Sequence, residues 1–277
     1  MALLRLLVGC HIIGDFIFQS DKLCEKKKEG NKFLLCHSFL YTLPFLLLFF
    51  LVGTTWYYIL CSLSFVFATH YAIDYWKIYE EKKQRDKLRE EPKKDKQNPK
   101  QKDKQSDFWF FNIDQISHLV VLVIIWIIFR NCTINVYAIN QFLKEAEIDI
   151  SIEKIFNVLM VFLIILKPTS IFIDEFIKYL NISCDNDEND YFEKRTEANK
   201  ESFKTDKKPG AYIGYLERIL VVILSLMNVW SSIGFVLTAK SIARYKQLSD
   251  KNFAKKYLIG TLLSLSISLL TFAFYLL

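Results

Sequence analysis

Long apolar blocks, each near the roughly 20 residues a helix needs to cross a bilayer about 30 Å thick, most restrict what this chain can become. They follow one another as Leu3 to Phe18, Phe33 to Val52, Trp56 to Ile78, Trp109 to Arg130, Ile155 to Leu180, Tyr212 to Ala239 and Tyr257 to Leu277. The 52% hydrophobic content is gathered into these blocks, so lipid is the solvent the pattern fits. Phe at 24 copies against 8 Gly and 5 Pro suits long helices facing acyl chains. The expected fold is an all-α polytopic transmembrane bundle of six to seven apolar helices, which argues against a mainly soluble enzyme.

The connections set the expected topology. Gly53-Thr54-Thr55 is a tight uncharged turn that makes the second and third blocks an antiparallel hairpin. The loop with Lys22, Lys26, Lys27, Lys28 and Lys32, and the charged segment 77–107, carry the basic residues. The positive-inside rule therefore puts both in the cytoplasm and the N-terminus outside, as expected for a multi-pass protein of a cell inner membrane. The segment 77–107 cannot bury enough apolar surface to fold alone and is expected as a loop, with helix near Glu80 to Glu91. Two units follow: a four-helix N-terminal membrane unit, 1–130, and C-terminal membrane helices, 131–277, interrupted by the polar loop 181–210. Lys167-Pro168 should kink the fifth block. Seven simple spans would leave the basic stretch Lys240 to Lys256 outside; a re-entrant bend near Asn228 would not, and both readings stay open.

The net charge of +6 is mostly this topology signal, and no nucleic-acid partner is expected. The six cysteines show no CxxC spacing, which implies neither a disulfide framework nor a zinc ribbon. Leu7-Val8-Gly9-Cys10 superficially matches a lipoprotein cleavage site, but the stretch before it is short for a signal peptide and reads as the first membrane helix.

The chemistry is concentrated in a few residues. His11 with Asp15, His70 with Asp74, and Asp114 with His118 are each four apart, a spacing that puts both side chains on one helix face. His37 enters the second helix five residues after Lys32. Helices one and three end at the basic face while two and four begin there, so all four histidines converge on one leaflet, with His11 and His118 about a turn deeper than the others. Ionisable residues persist in hydrocarbon mainly where they pair, line water or bind ions. No Lys or Arg is expected at these depths, which leaves protonation, imidazolium partners or a bound cation to neutralise the aspartates. Imidazole and carboxylate together suit a divalent metal, Zn, Mn or Fe. The candidate ligands are His11, Asp15, His37, His70, Asp74, Asp114 and His118, with Asp15, Asp74 or Asp114 as a possible general base. Gln19 and Gln115 are candidate hydrogen-bond partners of the ligands. Cys10 and Cys36 point about 100° away from the neighbouring histidines and are not expected as ligands.

Elsewhere, Glu217-Arg218 with Lys240 and Arg244 would hold the C-terminal half against the first four helices, or Lys240 and Arg244 would take an anionic lipid headgroup. Lys167, Asp174 and Glu175 add polarity to the fifth block, read as neighbours of the site or as snorkelling side chains.

The stretches His11-Ile-Ile-Gly-Asp15-Phe-Ile-Phe-Gln19, His37, His70-Tyr-Ala-Ile-Asp74 and Asp114-Gln115-Ile-Ser-His118 resemble an uncharacterised bacterial polytopic membrane family catalogued as domain of unknown function 3307. The resemblance extends to Tyr212-Ile-Gly-Tyr-Leu-Glu217-Arg218, Ala239-Lys240-Ser-Ile-Ala-Arg244 and Leu258-Ile-Gly-Thr-Leu-Leu-Ser264. It implies no activity. A looser similarity, of residue type alone, is to membrane-bound metal-dependent hydrolases.

The expectation is thus an intramembrane metal-dependent hydrolase of a lipid phosphate or ester at the cytoplasmic leaflet. The alternatives are a metal-ion or proton transporter or channel, or a non-enzymatic membrane protein whose charged loop recruits a protein partner. Membrane lipids are the other expected partners; substrate and oligomeric state are not legible.

Overall fold

The computed structural model describes residues 2–28, 30–51, 56–90, 99–129, 152–180 and 209–276. Among the described residues the chain is helical and holds no strand. Five helices are long and apolar enough to cross a membrane by length and composition: Asn31–Phe50, Trp56–Lys87, Gln105–Phe129, Glu153–Tyr179 and Lys251–Leu276. That count is lower than the six to seven expected, for two physical reasons. The first apolar block is a short helix, Ala2–Ile12, running into a π turn, Ile13–Ile17. The Tyr212 to Ala239 run is broken in its middle.

The chain divides into two compact units at Pro168/Thr169. In the first unit, α1 (Ala2–Ile12) is followed by the short α2 (Asp21–Lys26), α3 (Asn31–Leu51), α4 (Trp56–Glu90), α5 (Pro99–Phe129) and α6 (Ile152–Ile165). Helices α1, α3, α4 and α5 close round a core of Leu7, Phe45, Phe49, Val66, Leu122 and Ile125. Their outward faces carry Leu47, Phe50, Trp56, Val120 and Ile128, all more than half exposed. Histidine and aspartate are inside and large apolar side chains outside, the arrangement lipid demands.

Within the segment 77–107, helix α4 continues unbroken to Glu90, as expected near Glu80 to Glu91, whereas α5 already starts at Pro99, where loop was expected; residues 91–98 lie outside the described residues. Pairs such as Lys83–Glu80 at 3.5 Å and Arg85–Glu81 at 2.9 Å lie along this extension, where i,i+3 and i,i+4 contacts support a solvated helix. Glu91, the 53–55 turn and the loop 181–208 lie outside the described residues.

The fifth block is interrupted at Leu166, beside the expected Lys167-Pro168 position. Helix α6 stops at Ile165, and α7 (Lys167–Tyr179) restarts with Pro168 in its first turn, where its missing N–H leaves no bond unmade.

The second unit holds α8 (Pro209–Leu226), α9 (Trp230–Ala243) and α10 (Lys251–Leu276). Asn228, at φ 57°, occupies the left-handed region that asparagine tolerates and turns the chain between α8 and α9. The run is therefore a helix–turn–helix. Glu217 lies eleven residues before Asn228 and Lys240 twelve after it, so they face each other at one level, with Lys240 Nζ donating to Glu217. This pair of expected C-terminal charges ties the two arms of the hairpin. Arg244 donates to Gln247 at 3.1 Å. Arg218 is buried, donating to Ser170 Oγ at 2.5 Å and Ser264 Oγ at 3.4 Å.

Candidate metal centre

Four helices bring the predicted histidines and aspartates of the first unit into one buried cluster. Helix α1 gives His11 and, through its π turn, Asp15; α3 gives His37, α4 His70 and Asp74, and α5 Asp114 and His118. Five of them, His37, His70, Asp74, Asp114 and His118, are at most 2% exposed, in a layer where ordinary core residues would be apolar.

Local backbone features make the convergence possible. Phe18 N–H donates to Ile13 C=O at 2.9 Å, the five-residue step of a π turn. The neighbouring Gly14 has no room for a side chain: a Cβ there would meet Tyr41 Cδ2 at 2.8 Å and Tyr41 O at 2.9 Å. This approach of α1 to α3 puts Asp15 Oδ1 3.4 Å from His37 Nε2.

One sub-cluster forms where His37 Nε2 faces His70 Nε2 at 3.1 Å, with Asp74 Oδ2 3.5 Å from His37 Nε2 and 3.8 Å from His70 Nε2. On the other side His118 Nε2 lies 3.5 Å from Asp114 Oδ1 and 4.0 Å from Asp74 Oδ1. The two i,i+4 pairs expected on α4 and α5 are thus in contact. His11 and Asp15 are not paired in that way, because the five-residue turn between them shifts the register. They are joined through Gln115, whose Oε1 faces His11 Nε2 at 3.3 Å and whose Nε2 donates to Asp15 Oδ2 at 3.1 Å and Asp114 Oδ2 at 3.2 Å. Gln19, the other predicted partner, accepts from Lys27 at 3.4 Å as drawn. With its amide turned over, it donates to Asp15 Oδ1 and to His37 Nε2, each at 3.2 Å.

Two sets of donors lie close enough to share an ion: Asp15, His37 and His70, and Asp15, Asp114 and His118. In each set the ligand atoms fall within 4.8 Å of one another, and Asp15 belongs to both. Side-chain atoms without a hydrogen-bond partner cluster here too, namely Asp114 Oδ1, His118 Nε2 and the Nδ1 atoms of His37 and His70. Buried polar atoms are normally satisfied, and a carboxylate oxygen and an imidazole nitrogen 3.5 Å apart, neither in a hydrogen bond, suit a cation. The residues therefore fit a divalent metal.

The absence of cations expected at this depth is overturned. Lys27 Nζ donates to Asp74 Oδ2 at 3.0 Å, and Lys77 Nζ to Asp114 Oδ2 at 2.9 Å. Lys27 folds back from the end of α2, and Lys77 follows Asp74 by three residues on the same face of α4. Burial opposes the Lys27 ammonium, but the Asp74 and Asp15 carboxylates outweigh it and raise its pKa, so it stays charged at neutral pH. Asp15 alone of the three aspartates makes no lysine hydrogen bond or ion pair and is held by glutamine amides.

Tyr41 is the other participant that the sequence reading did not single out. Its ring stacks on His70, with centroids 3.6 Å apart and planes 2° from parallel, and its hydroxyl meets His11 Nδ1 at 3.2 Å. It lies four residues after His37, on the same face of α3, a spacing that marks it once His37 is taken as a reference. Lys77 carries a similar signal relative to Asp74; Lys27, in a connection, carries none. Of the remaining candidates, the Cys10 thiol donates to Pro44 C=O at 3.5 Å, Cys36 is exposed, and Lys167 Nζ donates to Gln19 C=O at 2.8 Å, capping the turn after Asp15.

The family model described as "Protein of unknown function (DUF3307)" matches residues 3–147, just over half of the chain, and the chain belongs to that family. The match contains all seven candidate ligands; the C-terminal motifs of the resemblance lie beyond it. No curated protein and no solved structure matches the chain.

Proposed function

We propose, for this member of a family of unknown function, an intramembrane divalent-metal centre that hydrolyses a lipid phosphate or ester at the cytoplasmic leaflet. The observation that carries the proposal is the pair of three-residue ligand sets sharing Asp15, with Asp114 Oδ1 and His118 Nε2 of one set 3.5 Å apart and neither in a hydrogen bond. Zn, Mn and Fe all accept this mixture of imidazole and carboxylate. Such an ion supplies a water ionised near neutral pH and a Lewis acid for a carbonyl or phosphoryl oxygen.

The chain's own groups have separable tasks. His37, His70, Asp15, Asp114 and His118 hold the ion. Gln115 fixes the Asp15 and Asp114 carboxylates relative to one another, and Tyr41 fixes the His70 ring. Asp74, outside both sets and 3.5 Å from His37 Nε2, is the carboxylate placed to take a proton.

The apolar floor favours hydrolysis over transport. Below the cluster, α3 and α5 fill the bundle with Phe45, Phe49, Leu122, Ile125 and Phe129, so the polar layer does not continue along the helices. A transporter needs polar groups across the membrane.

The test is purified full-length protein in neutral detergent, given phospholipid and glycerolipid extracts before and after chelation. Product release is expected to require added metal and to vanish in Asp15→Ala. No product from metal-loaded wild type would end the hydrolase reading, and activity that survives both chelation and Asp15→Ala would end the assignment of the reaction to this centre.

A further inference from the structure

The hydrolase reading admits a neutral ester or an anionic phosphate ester, and the charges around the cluster separate the two. Lys27 and Lys77 touch Asp74 and Asp114, and their side chains are only 7% and 17% exposed. Both enter from the basic end of the bundle: Lys27 from the connection after α2, and Lys77 from the turn of α4 beyond Asp74. The opposite side of the cluster is closed by the Phe45 and Ile125 layer. A headgroup arriving from the basic face therefore meets these two ammonium groups beside the ligand carboxylates.

The local balance then selects the ligand. The carboxylates of Asp15, Asp74 and Asp114 and the ammonium groups of Lys27 and Lys77 leave one negative charge. With its ionised water one divalent ion brings the balance to zero, and two ions sharing Asp15 leave two positive charges. A neutral ester would leave that excess buried and unpaired, which a low-dielectric site opposes. A phosphate ester brings one or two negative charges to cancel it. Each lysine offers three donors, of which Lys77 uses one for Asp114 and Lys27 one for Asp74 and a longer one for Gln19, and an ammonium is a common point-charge partner for phosphate.

We infer that the centre takes a phosphate ester, with Lys27 and Lys77 holding the phosphoryl oxygens; the inference rests on the metal reading above. Asp114, turning toward the ion as a ligand, releases the Lys77 ammonium to the phosphate, so metal and phosphate binding reinforce each other.

The experiment uses full-length protein in neutral detergent micelles, with metal content measured first. Calorimetry then follows binding of inorganic phosphate, and of phosphatidic acid against diacylglycerol in mixed micelles. Metal-loaded wild type is expected to bind phosphate, and to prefer phosphatidic acid over diacylglycerol. Lys27→Met and Lys77→Met should keep their metal yet bind phosphate about tenfold or more weakly, while the charge-retaining Lys27→Arg stays within a few-fold of wild type. Phosphatidic acid bound much more tightly than inorganic phosphate identifies a lipid headgroup as the source, and equal affinities identify free phosphate; both support the inference. Metal-loaded wild type that binds no phosphate, or prefers the neutral lipid, overturns it without touching the metal reading, and does so even where a lysine variant fails to fold. Wild type that binds no metal overturns both.

Discussion

Asp15 is the carboxylate on which the cluster turns, and its placement depends on the residue before it. Because a Cβ on Gly14 would fall 2.9 Å from the Tyr41 carbonyl oxygen, a backbone atom that cannot swing aside, Gly14→Ala must push α1 away from α3. The expected cost is about 1 to 3 kcal/mol, as for overpacking elsewhere, with metal content falling alongside. Thermal unfolding in detergent with parallel elemental analysis measures both; an unchanged melting temperature would show that the approach is not needed. At this scale the histidines and aspartates were legible because ionisable side chains are rare inside apolar blocks and four-residue spacing marks a face. The direct His11–Asp15 pair failed because a π turn leaves no trace in spacing. Lys27 was missed because a lysine in a basic loop reads as a topology signal, and only the fold shows it turning inward to Asp74.

Among the elements, helix identity was plain and helix ends were not. Apolar length located α3, α4 and α5, and the charged end of α4 was expected as helix near Glu80 to Glu91, but the charged start of α5 looks like loop by composition, although in the structure it extends a helix already nucleated by its membrane half. The Lys167-Pro168 break was readable because an interior proline removes a backbone hydrogen bond and crowds the preceding turn, although Pro44 is accommodated inside α3. The choice at Asn228 was not, since a mainly apolar run with an asparagine near its middle suits a span or a hairpin equally. Its φ of 57° decides for the turn. Asn228→Gly should therefore be tolerated, whereas Asn228→Val, with a branched Cβ in the left-handed region, should destabilise the protein by about 1 to 2 kcal/mol. Denaturation of the two variants in the same detergent compares them, and equal stabilities would contradict the turn.

For the molecule as a whole, the apolar outer faces and the buried polar layer describe a protein turned inside out for lipid, and the basic connections give its proposed orientation. Lys26 on α2 and Lys87 on α4 are exposed at one end of the first unit, and Trp56 is exposed at the other. In a background with native cysteines replaced by serine, Lys26→Cys and Lys87→Cys should react with an impermeant maleimide only after cells are permeabilised. Trp56→Cys should react in intact cells; the reverse pattern would invert the orientation. The central claim is that imidazoles and carboxylates from α1, α3, α4 and α5 hold one cation site together. X-ray absorption at the metal edge of purified wild type and Asp15→Ala tests it most directly. The account predicts a nitrogen and oxygen shell near about 2.0 to 2.2 Å with imidazole scattering in the wild type, and no bound metal in the variant. A wild type without metal, a sulfur shell, or an unchanged spectrum in Asp15→Ala would contradict it.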